Sequence, residues 1–293
     1  MRWKPRVRVI ARNFGLVILG LIAYGIWVEP NQLGVRHVWV RDPSLASVLR
    51  GKIAIQISDL HIRKLGRREQ KVIKTLEELK PDLVFLTGDY IQWNGDHEAA
   101  LDFLSKLKAR IGIWAVMGDY DYSQSRSSCL FCHEPVSGKP TRRHGVKFLR
   151  NDLEPVQLEE GILWIGGIDM EAGNPFASDG GFPLELKEKP IILLSHNPLI
   201  FDLIDEDRDL LVLAGDTHGG QIPIPSWLWK ILGYEKSARY GQGLFERGGK
   251  KMFVSRGVGT SHFPIRIFRG PELVVLHFTT EQTAHDRLMN TTR

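Results

Sequence analysis

From Lys52 onward, short apolar runs recur along the chain, and each one stops at a polar residue. They are IAIQIS before Asp59, LVFLTG before Asp89, IWAVMG before Asp119, IILLS before His196 and LLVLAG before Asp216. Their length and their Ile, Val and Leu content predict buried strands. Between the first three lie helical patterns, from Arg67 to Lys80 and from His97 to Arg110. Strands alternating with helices predict a layered α/β domain. Further short strands are predicted at Val146 to Leu149, Val156 to Leu158, Ile162 to Ile168, Lys251 to Val254 and Glu272 to Phe278. In open α/β sheets ligands bind at the carboxyl ends of the strands. Five runs here each place an Asp or a His at that end.

A different apolar pattern opens the chain. Phe14 to Val28 carries no charge and ends at Glu29-Pro30. Arg2, Lys4, Arg6, Arg8 and Arg12 precede it. A span needs roughly 20 apolar residues, so the run is short for one. It reads as a retained signal anchor, a cleaved signal peptide, or a buried or monotopic helix. The anchor is preferred, because Tyr24 and Ile26 beside Ala23 and Gly25 make a poor cleavage context. A basic start stays in the cytoplasm, which puts the remaining chain on the other side. The expected division is a membrane anchor at 1–30, a linker at 31–51 with a strand near Val35 to Val40, one domain at 52–280 and a polar tail at 281–293. A second apolar stretch, PIPSWLWKILG from Pro223 to Gly233, reads either as core or as a membrane-interface segment that covers acyl chains.

Composition changes this picture little. With 293 residues, 43% hydrophobic and 25% charged, the chain can bury a sizeable core. The formal net charge is +5, and much of the excess sits in the first dozen residues. That placement points to a membrane rather than nucleic acid, and the chain has no basic-aromatic RNA-binding motif.

The strand-end residues carry the chemistry. Asp59 and His61 lie one residue apart, while Asp89, Asp119 and Asp216 each follow a glycine. His196 stands in SHNP and His218 in GDTHGGQ. Carboxylates with imidazoles suit Mn²⁺, Mg²⁺, Fe²⁺ or Zn²⁺. Two such ions close together can activate a water and clamp both oxygens of an in-line phosphoryl displacement. A lone Asp at a strand end is usually a turn residue or a cap; it is the ordered set that argues for a site.

The order Asp59-Leu60-His61, Gly88-Asp89, Gly118-Asp119-Tyr120-Asp121, His196 and Gly215-Asp216-Thr217-His218 resembles the calcineurin-like metallophosphoesterases, whose motifs run D-x-H, G-D, G-N-H-[DE], H and G-H-x-H. The resemblance covers roughly Lys52 to Phe278. SHNP, THGGQIPIP, VSRGVGTS and the N-terminal anchor are similar to the membrane-associated branch that includes a UDP-2,3-diacylglucosamine pyrophosphatase. The resemblance implies a four-layer sandwich, with two central β-sheets flanked by helices. It implies one metal at Asp59, His61, Asp89 and His218, and a second at Asp89, Asp119, His196 and Asp216. It also implies hydrolysis of a lipid-linked or nucleotide-linked phosphate.

Three positions depart from that pattern. Asp119 replaces the family's metal-binding Asn, and Asp216 its first His of G-H-x-H. Tyr120 stands where a non-ligand His faces the scissile phosphate; it remains a candidate hydrogen-bond donor beside Asp89 as the catalytic centre. Four carboxylates instead of two favour hard Mn²⁺ or Mg²⁺, but they also repel phosphate. An altered active site and a degenerate metal- or lipid-binding protein are both consistent with this. Cys129 and Cys132 form a Cys-x-x-Cys-His pattern, open to a disulfide, a metal clip, free thiols or haem attachment. Arg256 reads either as a phosphate contact or as a surface pair.

Overall fold

The computed structural model describes residues 5–92, 97–122, 129, 131–132, 141–169, 188–205, 207–261 and 263–281. The expected strands assemble into two six-stranded sheets. In spatial order the first contains β1 (Gly34–Arg41), β12 (Glu272–Thr279), β2 (Ala54–Ile57), β3 (Leu83–Thr87), β4 (Gly112–Val116) and β5 (Val146–Phe148). Strands β2 to β5 are parallel, and β12 runs antiparallel to β2. The second sheet contains β10 (Gly243–Arg247), β11 (Lys250–Val254), β9 (Leu211–Ala214), β8 (Ile191–Ser195), β7 (Ile162–Ile168) and β6 (Asp152–Gln157). Its four middle strands are parallel, and its outer strands pair antiparallel.

The near-continuous apolar runs follow from burial on both faces. Along β3, Leu83 and Phe85 enter the core between the sheets. Val84 and Leu86 point the other way, into a core shared with Val72, Leu76, Phe103 and Leu104 of helices α3 (Arg67–Leu79) and α4 (His97–Lys106). Along β8, Ile192 and Leu194 join the inter-sheet core, and Ile191 and Leu193 pack with Ile200, Phe201 and Ile204. Each such side chain contributes roughly 1.5–3 kcal/mol of burial.

The stretch 31–51, expected as a linker, is built into the domain. Strand β1 pairs with β12 over its whole length, with Val38 and Val40 in the inter-sheet core. Helix α2 (Pro43–Val48) follows, with Asp42 as its N-cap and Leu45, Ala46 and Val48 buried. The reason is the alternation of Val38 and Val40 with His37, Trp39 and Arg41, which puts the two valines on one face that needs burial. Edge strand β10 was not anticipated; among its residues only Leu244 and Phe245 pack on a core.

Helix α1 (Pro5–Trp27) continues into a short turn at Glu29–Asn31. Val9–Asn31 has a mean hydropathy of 1.9, is 6% buried, and is long and apolar enough to cross a membrane. Its end is fixed to the domain: the Arg266 N–H donates to Gly25 O at 2.9 Å. The buried Glu29 carboxylate accepts from the N–H groups of Phe268 and Arg269, at 2.8 and 2.5 Å. The PIPSWLWKILG segment forms helix α5 (Ser226–Ile231), followed by α6 (Glu235–Arg239), and neither buries a residue. A core role for it is therefore set aside. Trp227 is 62% exposed and Ile231 72%. All but the first residue of the expected tail lie outside the described residues.

Candidate metal centre

The loops after β2, β3, β8 and β9 converge at one end of the two sheets. Asp59, His61, Asp89, Asp216 and His218 all have positive φ, between 45° and 73°. Non-glycine residues rarely adopt this region, and such strain clusters at functional sites. Close packing explains two of the glycines. A Cβ at Gly118 would lie 2.6 Å from the Asp89 nitrogen and overlap its carboxylate. A Cβ at Gly215 would collide with Ser58 and come within 2.6 Å of Asp59 Oδ2.

Two groups of potential ligand atoms result: Asp59, His61, Asp89 and His218, all buried, and Asp89, Asp119 and His196, of which Asp119 is exposed. Asp89 belongs to both. Its Oδ2 lies 3.4 Å from His61 Nε2 and 3.5 Å from His196 Nε2. His196 Nε2 is also 3.0 Å from Asp119 Oδ1. Of the residues expected from sequence, Asp216 alone stands outside both groups. Its carboxylate instead makes an ion pair with Lys236 on α6.

Two of the three imidazoles are oriented from behind, as metal-binding histidines generally are, while His61 Nδ1 is buried without a hydrogen-bond partner. His196 Nδ1 donates to Thr87 O at 2.8 Å, and His218 donates to the Gly259 carbonyl. Each leaves its Nε2 lone pair facing the cluster. His61 Nε2 and His218 Nε2 sit 3.0 Å apart. Asp59 Oδ2 is buried with no hydrogen-bond partner, although Oδ1 accepts from Asp216 N–H. Buried lone pairs facing one another, beside an orphaned carboxylate oxygen, fit a divalent cation better than they fit each other.

The electrostatics agree. Burial raises the Asp59 carboxyl to about 6 and Asp89 well above the usual range, each partly offset by His196. Burial, then His196, lowers His61 to about 3, and burial with His61 beside it lowers His218 strongly. Burial alone would also lower His196, but in the metal-free cluster Asp89 and Asp119 raise it well above its ordinary value, so its Nε2 lone pair is offered to an ion only as that proton is displaced. Asp119 is likewise shifted against its burial, downward, by the hydrogen bond and charge of His196.

Three contributors escaped the sequence reading. Asp121 is buried and accepts from the N–H groups of Asp89, Tyr90 and Gly118, each at 2.8 Å, so it ties two metal-site loops together. The spacing to Asp119 within one motif was its only signal. Arg266 is fully buried and donates to the carbonyls of Arg256, Gly259 and Arg269, bracing the loop behind His218. Lys236 had no signal beyond its charge. Tyr120 donates its N–H to Asp89 Oδ1 at 3.0 Å, and its ring stands edge-on to His61. Arg256 pairs with buried Glu272 at 2.6 Å rather than facing the cluster. Cys129 and Cys132 form a disulfide, so the sulfurs are not available for haem, a metal clip or free-thiol chemistry.

The chain matches the calcineurin-like phosphoesterase family over residues 54–219. It is 28% identical to an uncharacterized metallophosphoesterase of Bacillus subtilis, YkuE, over 97% of this chain and all of that one. An uncharacterized metallophosphoesterase of Aquifex aeolicus is 30% identical, over 90% of this chain and 97% of that one. The UDP-2,3-diacylglucosamine pyrophosphatase LpxG of Chlamydia muridarum is 26% identical, over 86% and 92%.

Proposed function

The chain belongs to the calcineurin-like phosphoesterase family, and on that footing we propose that it is a two-metal hydrolase of a lipid-linked phosphate ester or diphosphate, working at a membrane surface. The observation that carries the metal reading is Asp89 Oδ2, which faces His61 on one side and His196 on the other. Asp59, His61, Asp89 and His218 hold one ion; Asp89, Asp119 and His196 hold the other. The three carboxylates suit Mn²⁺ or Mg²⁺, and the three imidazoles equally suit Fe²⁺ or Zn²⁺. When bound, the ions supply an activated water and positive charge for in-line displacement at phosphorus.

The chain's own groups do the positioning. Asp121 fixes the backbone of Asp89 and Gly118, while Thr87 and Gly259 fix the tautomers of His196 and His218. Burial, then Asp89 and Asp119, pushes the Tyr120 phenol up to about 12. It stays protonated at neutral pH, and so serves as a hydrogen-bond donor to phosphate rather than as a base.

The lipid reading rests on what borders the site. His218 leads into Gly220, where Trp229 of α5 packs close to the backbone. Gln221 O accepts from Ile267 N–H, in the loop that also holds the end of α1. Trp227, Ile231, Leu232, Phe263 and Phe268 are exposed along these segments. A membrane helix and an apolar rim beside one site favour a substrate whose acyl chains stay in the bilayer.

The name of the Chlamydia relative makes UDP-2,3-diacylglucosamine the specific candidate, with the protein in a bacterial inner membrane. The disulfide supports a second reading. Disulfides persist outside the reducing cytoplasm, and the basic start also favours a domain on the outer side. There a lipid phosphate without a nucleotide is the better candidate. The test is hydrolysis by Mn²⁺-loaded full-length protein in detergent micelles, comparing UDP-2,3-diacylglucosamine, a lipid phosphate and bis(p-nitrophenyl) phosphate. One of the lipids should be the preferred substrate. A water-soluble diester turned over as well as either lipid would contradict the lipid reading.

A further inference from the structure

Asp216 occupies the position where sequence order expects a ligand to the second ion, yet its carboxylate is already engaged. Lys236 Nζ makes a direct ion pair with Asp216 Oδ2, and both side chains are more than half buried. The Asp216 backbone is tied as well, through its N–H to Asp59 Oδ1 at 2.9 Å. The other three residues expected at that ion, Asp89, Asp119 and His196, do come together. We propose that Lys236 is a positioning residue of the second half-site: its ammonium holds Asp216 away from the ion, leaving Asp89, Asp119 and His196 as its protein ligands. This proposal rests on the two-metal reading above.

Three arguments support it. The first is charge. Asp59, Asp89, Asp119 and Asp216 together cancel two dications and leave nothing to attract an anionic phosphate. One ammonium restores a net positive charge, and Lys236 is placed to supply it. The second is hydrogen bonding. An ammonium has donors and no acceptor, so a partly buried lysine keeps the carboxylate that satisfies it. The third is reach. Lys236 pairs with Asp216, whose N–H in turn holds Asp59 Oδ1 at 2.9 Å, so the ammonium stands at the edge of the acidic cluster. An ordinary surface ion pair, worth about 0–1 kcal/mol, would show neither the burial nor this surrounding set of acids. Asp216 is thus a departure from the family's motif, a carboxylate in place of an imidazole ligand, and a lysine 20 residues later neutralises it.

The experiment is Mn²⁺ binding to full-length protein in detergent, by titration calorimetry, for wild type, Lys236→Met, Lys236→Arg, Asp216→Asn and the Lys236→Met/Asp216→Asn double variant. Wild type should bind one ion tightly and a second more weakly. Lys236→Met should free Asp216 and tighten the weaker ion by about tenfold or more, and Lys236→Arg should resemble wild type. Asp216→Asn should leave both affinities within about twofold, and the double variant should lose the gain, since the two residues act as a unit. With bis(p-nitrophenyl) phosphate, Lys236→Met should raise KM more than it lowers kcat. Loss of the weaker ion in Asp216→Asn, or unchanged binding in Lys236→Met, would overturn this proposal and leave the two-metal reading standing. A wild-type chain that binds no Mn²⁺ would overturn both.

Discussion

Asp121 and Asp59 illustrate two ways a carboxylate serves this centre. Asp121 touches no candidate metal position and acts through the N–H groups of Asp89, Tyr90 and Gly118. Asp121→Asn turns one accepting oxygen into a donor facing those N–H groups. It should therefore weaken Mn²⁺ binding by about 10–100-fold, as outer-shell changes do, with the fold retained by circular dichroism. Unaltered Mn²⁺ affinity would remove Asp121 from the centre. Asp59 makes a pH prediction. Its folded-state carboxyl is raised to about 6, above the unfolded value of 3.8. A raised carboxyl stabilises the fold below the unfolded value and loses that contribution as pH rises through the folded one. Asp89 shifts in the same direction, whereas lowered Asp119 acts only at more acid pH. Asp59 alone should cost metal-free protein on the order of 2–3 kcal/mol of stability between about pH 4 and 7, whereas His61 and His218, lowered by burial, gain stability as pH rises over the same window, so the Asp59 share is read as the difference between wild type and Asp59→Asn. Mn²⁺ affinity should rise over the same window, because the bound ion needs the carboxylates ionised. Thermal unfolding of metal-free wild type and Asp59→Asn, with Mn²⁺ titrations at about pH 5 and 7, checks both, and a stability difference between the two chains that does not shift in favour of Asp59→Asn as pH rises would contradict the burial argument. The candidate ligands were legible in the sequence because they cluster just past the ends of strands. Asp121 was legible only as a motif position with no role attached, and Arg266 was not legible at all, because a side chain that binds backbone groups does not show its role in the sequence. Lys236 was not, because only the fold carries α6 back to Asp216.

At the scale of elements, periodicity predicted most strands and both long helices, since burial on two faces writes continuous apolar runs. It did not predict that β12, last in the chain, lies between β1 and β2, because pairing partners so distant in sequence have no local signature. It also left PIPSWLWKILG ambiguous, since an apolar segment reads alike whether it meets core or lipid. The exposure of α5 separates the two. Replacing Trp227, Ile231 and Leu232 with Ser should leave folding intact, because all three are exposed. Each such side chain is worth roughly 1.5–3 kcal/mol if buried in an apolar phase. The variant should therefore lose at least about tenfold in activity on vesicle-bound lipid, with little change on bis(p-nitrophenyl) phosphate. Equal losses on both substrates would show that α5 supports the domain rather than docking it.

For the whole molecule, the arrangement is an apolar helix joined directly to one end of a two-sheet domain, with the metal-site loops at the same end. The Glu29 carboxylate and the Arg266 N–H make that junction, so the apolar helix and the site are held in a fixed relation. The central claim is that Asp89 joins two metal positions into one hydrolytic centre. Metal content and hydrolysis of bis(p-nitrophenyl) phosphate, measured side by side for wild type and Asp89→Asn after loading with Mn²⁺, test it most directly. Wild type should hold up to two ions per chain at saturation. Asp89→Asn should lose metal from both positions, and its kcat/KM should fall by roughly 100-fold or more, as expected when an electrostatic element of the reaction centre is removed. An Asp89→Asn chain that keeps both its metal and its activity would contradict the account.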